Sequence, residues 1–110
     1  MHEFSVAQNI INIIIENNKE NPVSEAIIRI GALSGVVKES LEFYMEIMIE
    51  ENSLKDLKVS LVEEPIKCQC TCGNIYTTRS MFDGCPVCQG FERKILEGRD
   101  CTIECKGKQE

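Results

Sequence analysis

Seven cysteines and one histidine carry most of the recognisable chemistry in this 110-residue chain. The cysteines all fall between Cys68 and Cys105, and the histidine is the second residue. Cys85-Pro-Val-Cys88 is a C-x2-C knuckle, and twelve residues separate it from Cys72. Two such thiol pairs can hold Zn²⁺ in a tetrahedron of thiolates at about 2.3 Å each. The second pair comes from Cys68, Cys70 and Cys72, as either Cys68-x3-Cys72 or Cys70-x-Cys72. Neither has ideal knuckle spacing. Cys72 serves both pairings, and Cys70 is preferred to Cys68 although its one-residue chelate loop is tight; exchange among the three stays open. The expected zinc ligands are therefore Cys70, Cys72, Cys85 and Cys88, with Cys68 as the alternative.

Four thiolates leave zinc no open position, so the expected site is structural and the chain is read as a non-enzyme. Gly73 and Gly90 suit tight turns that bring amide donors toward sulfur. Arg79, Arg93, Lys94 and Arg99 are available to offset the site's net negative charge. Cys101 and Cys105, four residues apart in an expected strand, share a face. They read as small buried hydrophobes, with a soft-metal site or a reversible dithiol as the alternatives. A disulfide between them within one extended strand would have poor geometry, because their Cα atoms are too far apart.

His2 lies beside the α-amine and is followed by Glu3. An amine, a deprotonated amide nitrogen and an imidazole form an in-plane chelate suited to Ni²⁺ or Cu²⁺. Such a site loses metal as pH falls toward the ordinary histidine value of about 6.5.

The elements that must position these groups are legible as mixed helix and strand. Ser5 through Asn17 is expected to be a helix, with a Ser5–Gln8 capping box and Val6, Ala7, Ile10, Ile11, Ile14 and Ile15 at helical spacing. Ser24–Ile30 alternates as a strand, and Ile27 suggests burial on both faces. Val37–Glu50 is a second helix with Leu41, Tyr44, Met45 and Met48 inward and Glu39, Glu42, Glu46 and Glu50 on its other side. Lys55–Glu63 is the next strand. Phe91–Leu96 and Asp100–Glu104 resemble a short hairpin, its last strand returning either to the late module or to the main sheet. The expected class is α+β: two helices packed on a small mixed sheet, with an inserted zinc-ribbon-like module. Residues 1–65 plus 95–105 form the α/β domain, and 66–94 the cysteine-rich module. The module is poor in aliphatic residues, so a metal cross-link supplies what its core lacks.

Composition narrows the function. A formal charge of -6 lowers the case for nucleic acid binding, and 43% hydrophobic residues argue against disorder. No apolar run approaches a membrane span, and no basic segment precedes the first apolar stretch as a secretory signal requires. Clustered cysteines in a reducing, cytoplasmic setting favour metal over disulfides. Gly31-Ala-Leu-Ser-Gly35 lacks the ending of a phosphate-binding loop.

Met1-His2-Glu3-Phe4-Ser5-Val6-Ala7, Gly31-Ala32-Leu33-Ser34 and the late Cys-Gly…Cys-Pro-x-Cys module together resemble the HypA/HybF hydrogenase nickel-incorporation family. The resemblance runs from residue 1 to about 104. It implies a nickel-binding α/β domain, a structural zinc domain, and delivery of Ni²⁺ to the precursor large subunit of nickel-iron hydrogenase. A GTP-hydrolysing nickel chaperone is the implied partner, and a weak homodimer is also expected. Carried over by residue, Met1, His2 and Glu3 form the nickel site: His2 supplies imidazole and backbone nitrogen, Glu3 a backbone nitrogen or auxiliary contact. Cys72, Cys85 and Cys88 match zinc ligands. The family's first knuckle is C-x2-C before Gly73, whereas residue 69 here is glutamine, so the choice between Cys68 and Cys70 stays open. Cys101 stands where the family tends to be aliphatic. Glu39 and Glu42 follow the GALS turn and read as a solvated helix face. The rival functions are a zinc-ribbon module binding nucleic acid or protein, which leaves His2 without a role, and a thiol oxidoreductase using Cys85 and Cys88.

Overall fold

Apolar residues at three-and-four spacing build the two helices, and both turn them toward one strand. The computed structural model describes residues 3–54 and 56–107. In chain order the elements are α1 (Glu3–Glu20), β1 (Val23–Gly31), α2 (Lys38–Glu51), β2 (Lys58–Glu64), β3 (Ile66–Cys70), β4 (Ile75–Thr78), β5 (Arg93–Glu97) and β6 (Cys101–Gly107). β1 is the centre of a mixed three-stranded sheet, parallel to β2 and antiparallel to β6. The parallel pair requires a crossover, which α2 provides. The second sheet is antiparallel in the order β4-β3-β5.

Ala7, Ile10, Ile11 and Ile14 of α1, Ala26, Ile28 and Ile30 of β1, and Leu41, Met45 and Met48 of α2 make one buried cluster. Each isoleucine so buried contributes about 1.5–3 kcal/mol. Among the described residues no helix covers the opposite face of β1. Arg29 lies there, 2.9 Å from Glu104 and 3.5 Å from Glu64, and Ile27 is only half-buried. Burial of β1 on both faces is thereby corrected: Ala26, Ile28 and Ile30 make the core, and on the other face Arg29 pairs across the strands with Glu64 and Glu104.

α1 is already helical at Glu3, so Ser5 lies inside its first turn and the Ser5–Gln8 box does not start it. Glu3 itself favours that position, because an acid in the first turn complements the helix dipole. β2 starts at Lys58, since a turn with Leu57 N–H donating to Leu54 O at 3.0 Å precedes it.

The hairpin read from Phe91 to Glu104 does not form. β5 pairs with β3 and β6 with β1, so the two strands belong to different sheets. The pairing also puts residues 95–97 beside β3. β6 returns to the main sheet because Cys101, Ile103 and Cys105 alternate with polar residues and pack toward the helical core. Gly98 makes the change of sheet at φ 111°, a conformation that disfavours side chains.

The junction between the sheets is closely fitted. Gly31 N–H donates to Asp100 O at 3.0 Å, Ala32 N–H to Glu64 O at 3.0 Å, and Leu33 N–H to Gly98 O at 2.8 Å. The GALS turn thus caps the two strands that cross between the units. Among the described residues no helix is long and apolar enough to cross a membrane.

Candidate metal centre

β3 brings Ile66, Cys68 and Cys70 to one face, because alternate residues of a strand point the same way. Cys68 remains within the sheet, fully buried, opposite Tyr76 on β4 and Ile95 on β5. Cys70 ends the strand and enters a turn. Gly73 N–H donates to Cys70 O at 2.8 Å, and Cys70 N–H to Asn74 O at 2.8 Å. Gly73 adopts φ 97°, which lets this turn reverse within a few residues. The tight Cys70-x-Cys72 spacing is accommodated in this way.

The second knuckle is built alike. Gln89 N–H donates to Cys85 O at 2.7 Å and Cys85 N–H to Gly90 O at 3.0 Å. Val87 N–H points at Cys85 Sγ and Gly90 N–H at Cys88 Sγ, each at 3.4 Å. These are the amide-to-sulfur contacts that the glycine positions suggested, although the positive φ falls on Gln89, at 63°, rather than on Gly90.

The sulfurs of Cys70, Cys72, Cys85 and Cys88 all lie within 4.8 Å of one another. Cys70 Sγ is 3.3 Å from Cys88 Sγ, and Cys72 Sγ is 3.8 Å from Cys85 Sγ. Four thiolates about 2.3 Å from a tetrahedral zinc are separated by about 3.8 Å. The donor set therefore fits a closed structural metal site. Cys68 is not in the group.

The local hydrogen bonds sort the four thiols into two kinds. Burial opposes ionisation of Cys85, but the N–H groups of Cys88 and Val87 and the Asn74 amide outweigh it and hold its pKa at about 6. Cys70 is also lowered, first by the Cys72 N–H and then by Cys88. Cys72 receives the Asn74 N–H, yet contact with Cys70 and burial leave it raised. Cys88 receives the Gly90 N–H, but the neighbouring Cys70 sulfur and burial push it up to about 11. Each close sulfur pair thus joins a thiol whose pKa is lowered to one whose pKa is raised.

Two supporting residues escaped the sequence reading. Asn74 donates its side-chain amide to Cys85 Sγ at 3.6 Å; its place directly after Cys72-Gly73 was the available signal. Arg93, expected only to offset charge, instead pins the loop before the second knuckle. Its guanidinium donates to Tyr76 Oη at 2.9 Å and to the carbonyls of Met81 and Asp83, and it stacks over Phe91 at 5.8 Å. Arg99 lines a cleft at the sheet junction with Arg29 and Glu64.

Of the expected nickel-site residues, Met1 and His2 lie outside the described residues. Glu3 is buried, and its carboxylate accepts the Val37 N–H at 2.9 Å, immediately before α2. The start of α1 is thereby tied to the start of α2. Cys101 and Cys105 are half-buried against the helical core, and burial raises both thiols. Glu39 and Glu42 are exposed on α2.

Comparison with known proteins agrees with this geometry. The family model described as "Hydrogenase/urease nickel incorporation, metallochaperone, hypA" matches residues 1–106. The hydrogenase maturation factor HypA of Francisella philomiragia subsp. philomiragia is 34% identical over 108 residues, covering 94% of this chain and 96% of that protein. That of Methanocella arvoryzae is 32% identical over 108 residues, covering 94% and 95%. Two solution structures share the fold at 23% identity. One is the Ni metallochaperone HypA from Helicobacter pylori, with a TM-score of 0.63 and full coverage of both chains. The other, a HypA protein, has a TM-score of 0.68 and covers 100% of this chain and 98% of that one. With nearly its whole length matched and its thiol cluster assembled, the chain belongs to the HypA family of hydrogenase/urease nickel-incorporation metallochaperones.

Proposed function

We propose that this chain carries Ni²⁺ at its Met1-His2-Glu3 segment and delivers it to the precursor large subunit of nickel-iron hydrogenase. The observation that carries the reading is a family match beginning at residue 1, which includes the Met-His-Glu start. The relatives' names favour hydrogenase as recipient over the urease that the family description also mentions. A GTP-hydrolysing nickel chaperone is the proposed partner in transfer, and the α/β unit of residues 1–65 with the final strand is the nickel-carrying part.

In this reading nickel is cargo and zinc is a fixture. Cys70, Cys72, Cys85 and Cys88 would hold zinc, which supplies a cross-link between two turns and no reactive position. At the amino terminus, the α-amine, backbone nitrogen and His2 imidazole supply nitrogen donors that suit Ni²⁺. One Glu3 carboxylate oxygen accepts the Val37 N–H, and a Glu3 backbone nitrogen or an auxiliary contact completes the proposed donor set. Protons compete with nickel for the imidazole and amine, so acidification favours release.

The test is His2→Ala, followed by calorimetric nickel titration of zinc-loaded protein. Nickel binding is expected to disappear while zinc content and the circular dichroism spectrum stay unchanged. Unchanged stoichiometric nickel binding would sink the assignment.

A further inference from the structure

We propose that the groove between α1 and α2 docks an apolar-anchored, Lys- or Arg-bearing helical segment of a partner protein. The groove, about 370 Å³, opens between Phe4, Gln8 and Ile11 of α1 and Tyr44, Ile47 and Met48 of α2. Ile11 and Met48 are buried and form its floor, whereas Phe4 is 52% and Ile47 41% exposed at its mouth. Tyr44 meets Phe4 edge-on at 5.5 Å and Phe43 at 5.4 Å, and Phe43 is itself 58% exposed. These rings are already held by one another. They offer apolar area with little rotamer freedom left to lose on binding. Exposed apolar surface rimmed by polar groups is characteristic of interaction sites.

Charge selects the occupant. α2 carries Glu39, Glu42, Glu46, Glu50 and Glu51 against the single cation Lys38. None of these five carboxylates takes part in an ion pair among the described residues. Residues three and four apart are surface neighbours on a helix. Glu39 and Glu46 therefore flank Phe43, and Glu50 and Glu51 follow Ile47. Glu51 lines the groove itself, and Phe43 and Ile47 each have an unneutralised acid three or four residues away on α2. A basic amphipathic helix satisfies both features, its apolar face in the groove and its cations on the rim. A second copy of this chain does not, because a two-fold contact sets the same acidic row against itself. Anionic lipid meets the same repulsion.

This proposal rests on the α1–α2 face alone and is separate from the nickel reading. The test titrates zinc-loaded, ¹⁵N-labelled full-length protein with two designed helical peptides of about 16 residues, one of Leu and Lys and one of Leu and Glu. The Leu/Lys peptide is expected to shift amide resonances of Gln8, Ile11, Tyr44, Ile47 and Met48. Ile47→Gln, at a solvent-facing position, is expected to weaken binding about tenfold, the scale of an interface anchor. Glu50→Gln with Glu51→Gln is expected to weaken it several-fold at low salt, the difference closing at high salt. Equal binding of the Leu/Glu peptide, undiminished binding by Ile47→Gln, or shifts that map elsewhere would each overturn the proposal. So would sedimentation showing self-association through the same residues.

Discussion

Cys68 and Cys70 differ by two residues and share a strand face, yet the structure gives them opposite expected responses to mutation. Cys70 Sγ lies 3.3 Å from Cys88 Sγ inside the four-sulfur group, whereas Cys68 is buried in the sheet outside it. Structural zinc in comparable modules is bound with roughly 10–16 kcal/mol. Distributing that over four ligands, loss of one lowers zinc affinity by roughly 10²–10³-fold. Cys70→Ala should therefore release zinc to a competing chromophoric chelator at concentrations that leave the wild type loaded. Cys68→Ala removes one buried sulfur, a truncation costing about 1 kcal/mol by the usual cavity relation. It should lower the melting temperature slightly and leave zinc retention unchanged. Chelator competition followed by absorbance, paired with thermal unfolding, reads both effects on the same samples. If Cys68→Ala loses zinc and Cys70→Ala keeps it, the assignment of the centre is wrong.

Zinc loading should displace protons. Cys88, raised to about 11, and Cys72, also raised, keep their protons near pH 7.5, while Cys85 at about 6 is already ionised. Calorimetry in buffers of different ionisation enthalpy should count at least two protons released per zinc, with apparent affinity falling as pH falls; a count below one contradicts the thiol pairing. Glu3→Ala should cost about 0.5–2 kcal/mol in chemical denaturation by removing the acceptor at Val37, and Glu3→Gln should recover most of it. Equal losses for both variants would show that the contact to Val37 N–H is not the cause. Gly31→Ala would place a Cβ 2.7 Å from Asp100 O and closer still to Gly98 O. Overpacking of that kind costs about 1–3 kcal/mol, and faster amide exchange at Leu33 should accompany it; an unchanged midpoint and exchange rate would mean that the junction yields freely.

The helices were legible because their apolar residues serve a single core. Leu41, Met45 and Met48 repeat at the period of a helix and all reach the β1 face. What the sequence concealed depends on partners remote in the chain. Arg29 and Ile27 occupy an open sheet face because, among the described residues, no third helix covers it, and local alternation carries no information on that. The stretch from Phe91 to Glu104 has the pattern of two strands joined by a turn, but strand pattern does not name the neighbour. β1 and β3 each had a free edge, and the turn at Gly98 sends one strand to each. The ligand set shows the same limit at closer range. Knuckle spacing is enough to single out Cys85 and Cys88. Between Cys68 and Cys70, strand phase is silent because both point the same way. What separates them is where the strand ends, and element boundaries are the least certain part of a sequence reading.

The thiol site and the proposed nickel site differ in donor type, so they need not compete for the same metal. Each cysteine of the four-sulfur group sits in a turn whose backbone hydrogen bonds bring two sulfurs together. A metal leaving such a site must break several strong bonds to donors that the turns hold in place, which opposes its release. The proposed terminal chelate offers one imidazole and backbone nitrogens, donors for which protons compete. Soft thiolates retain zinc, and the nitrogen set accommodates nickel in a different geometry. The Glu3–Val37 contact ties the residue that follows His2 to the start of α2, next to the proposed cargo site. If this division is right, a variant that improves nickel retention should do so at the cost of transfer. Adding a second imidazole two residues beyond His2, by Phe4→His at an exposed position of α1, should slow nickel loss to a competing chelator and slow hydrogenase activation together. Slower loss with undiminished activation would separate retention from delivery and refute the argument.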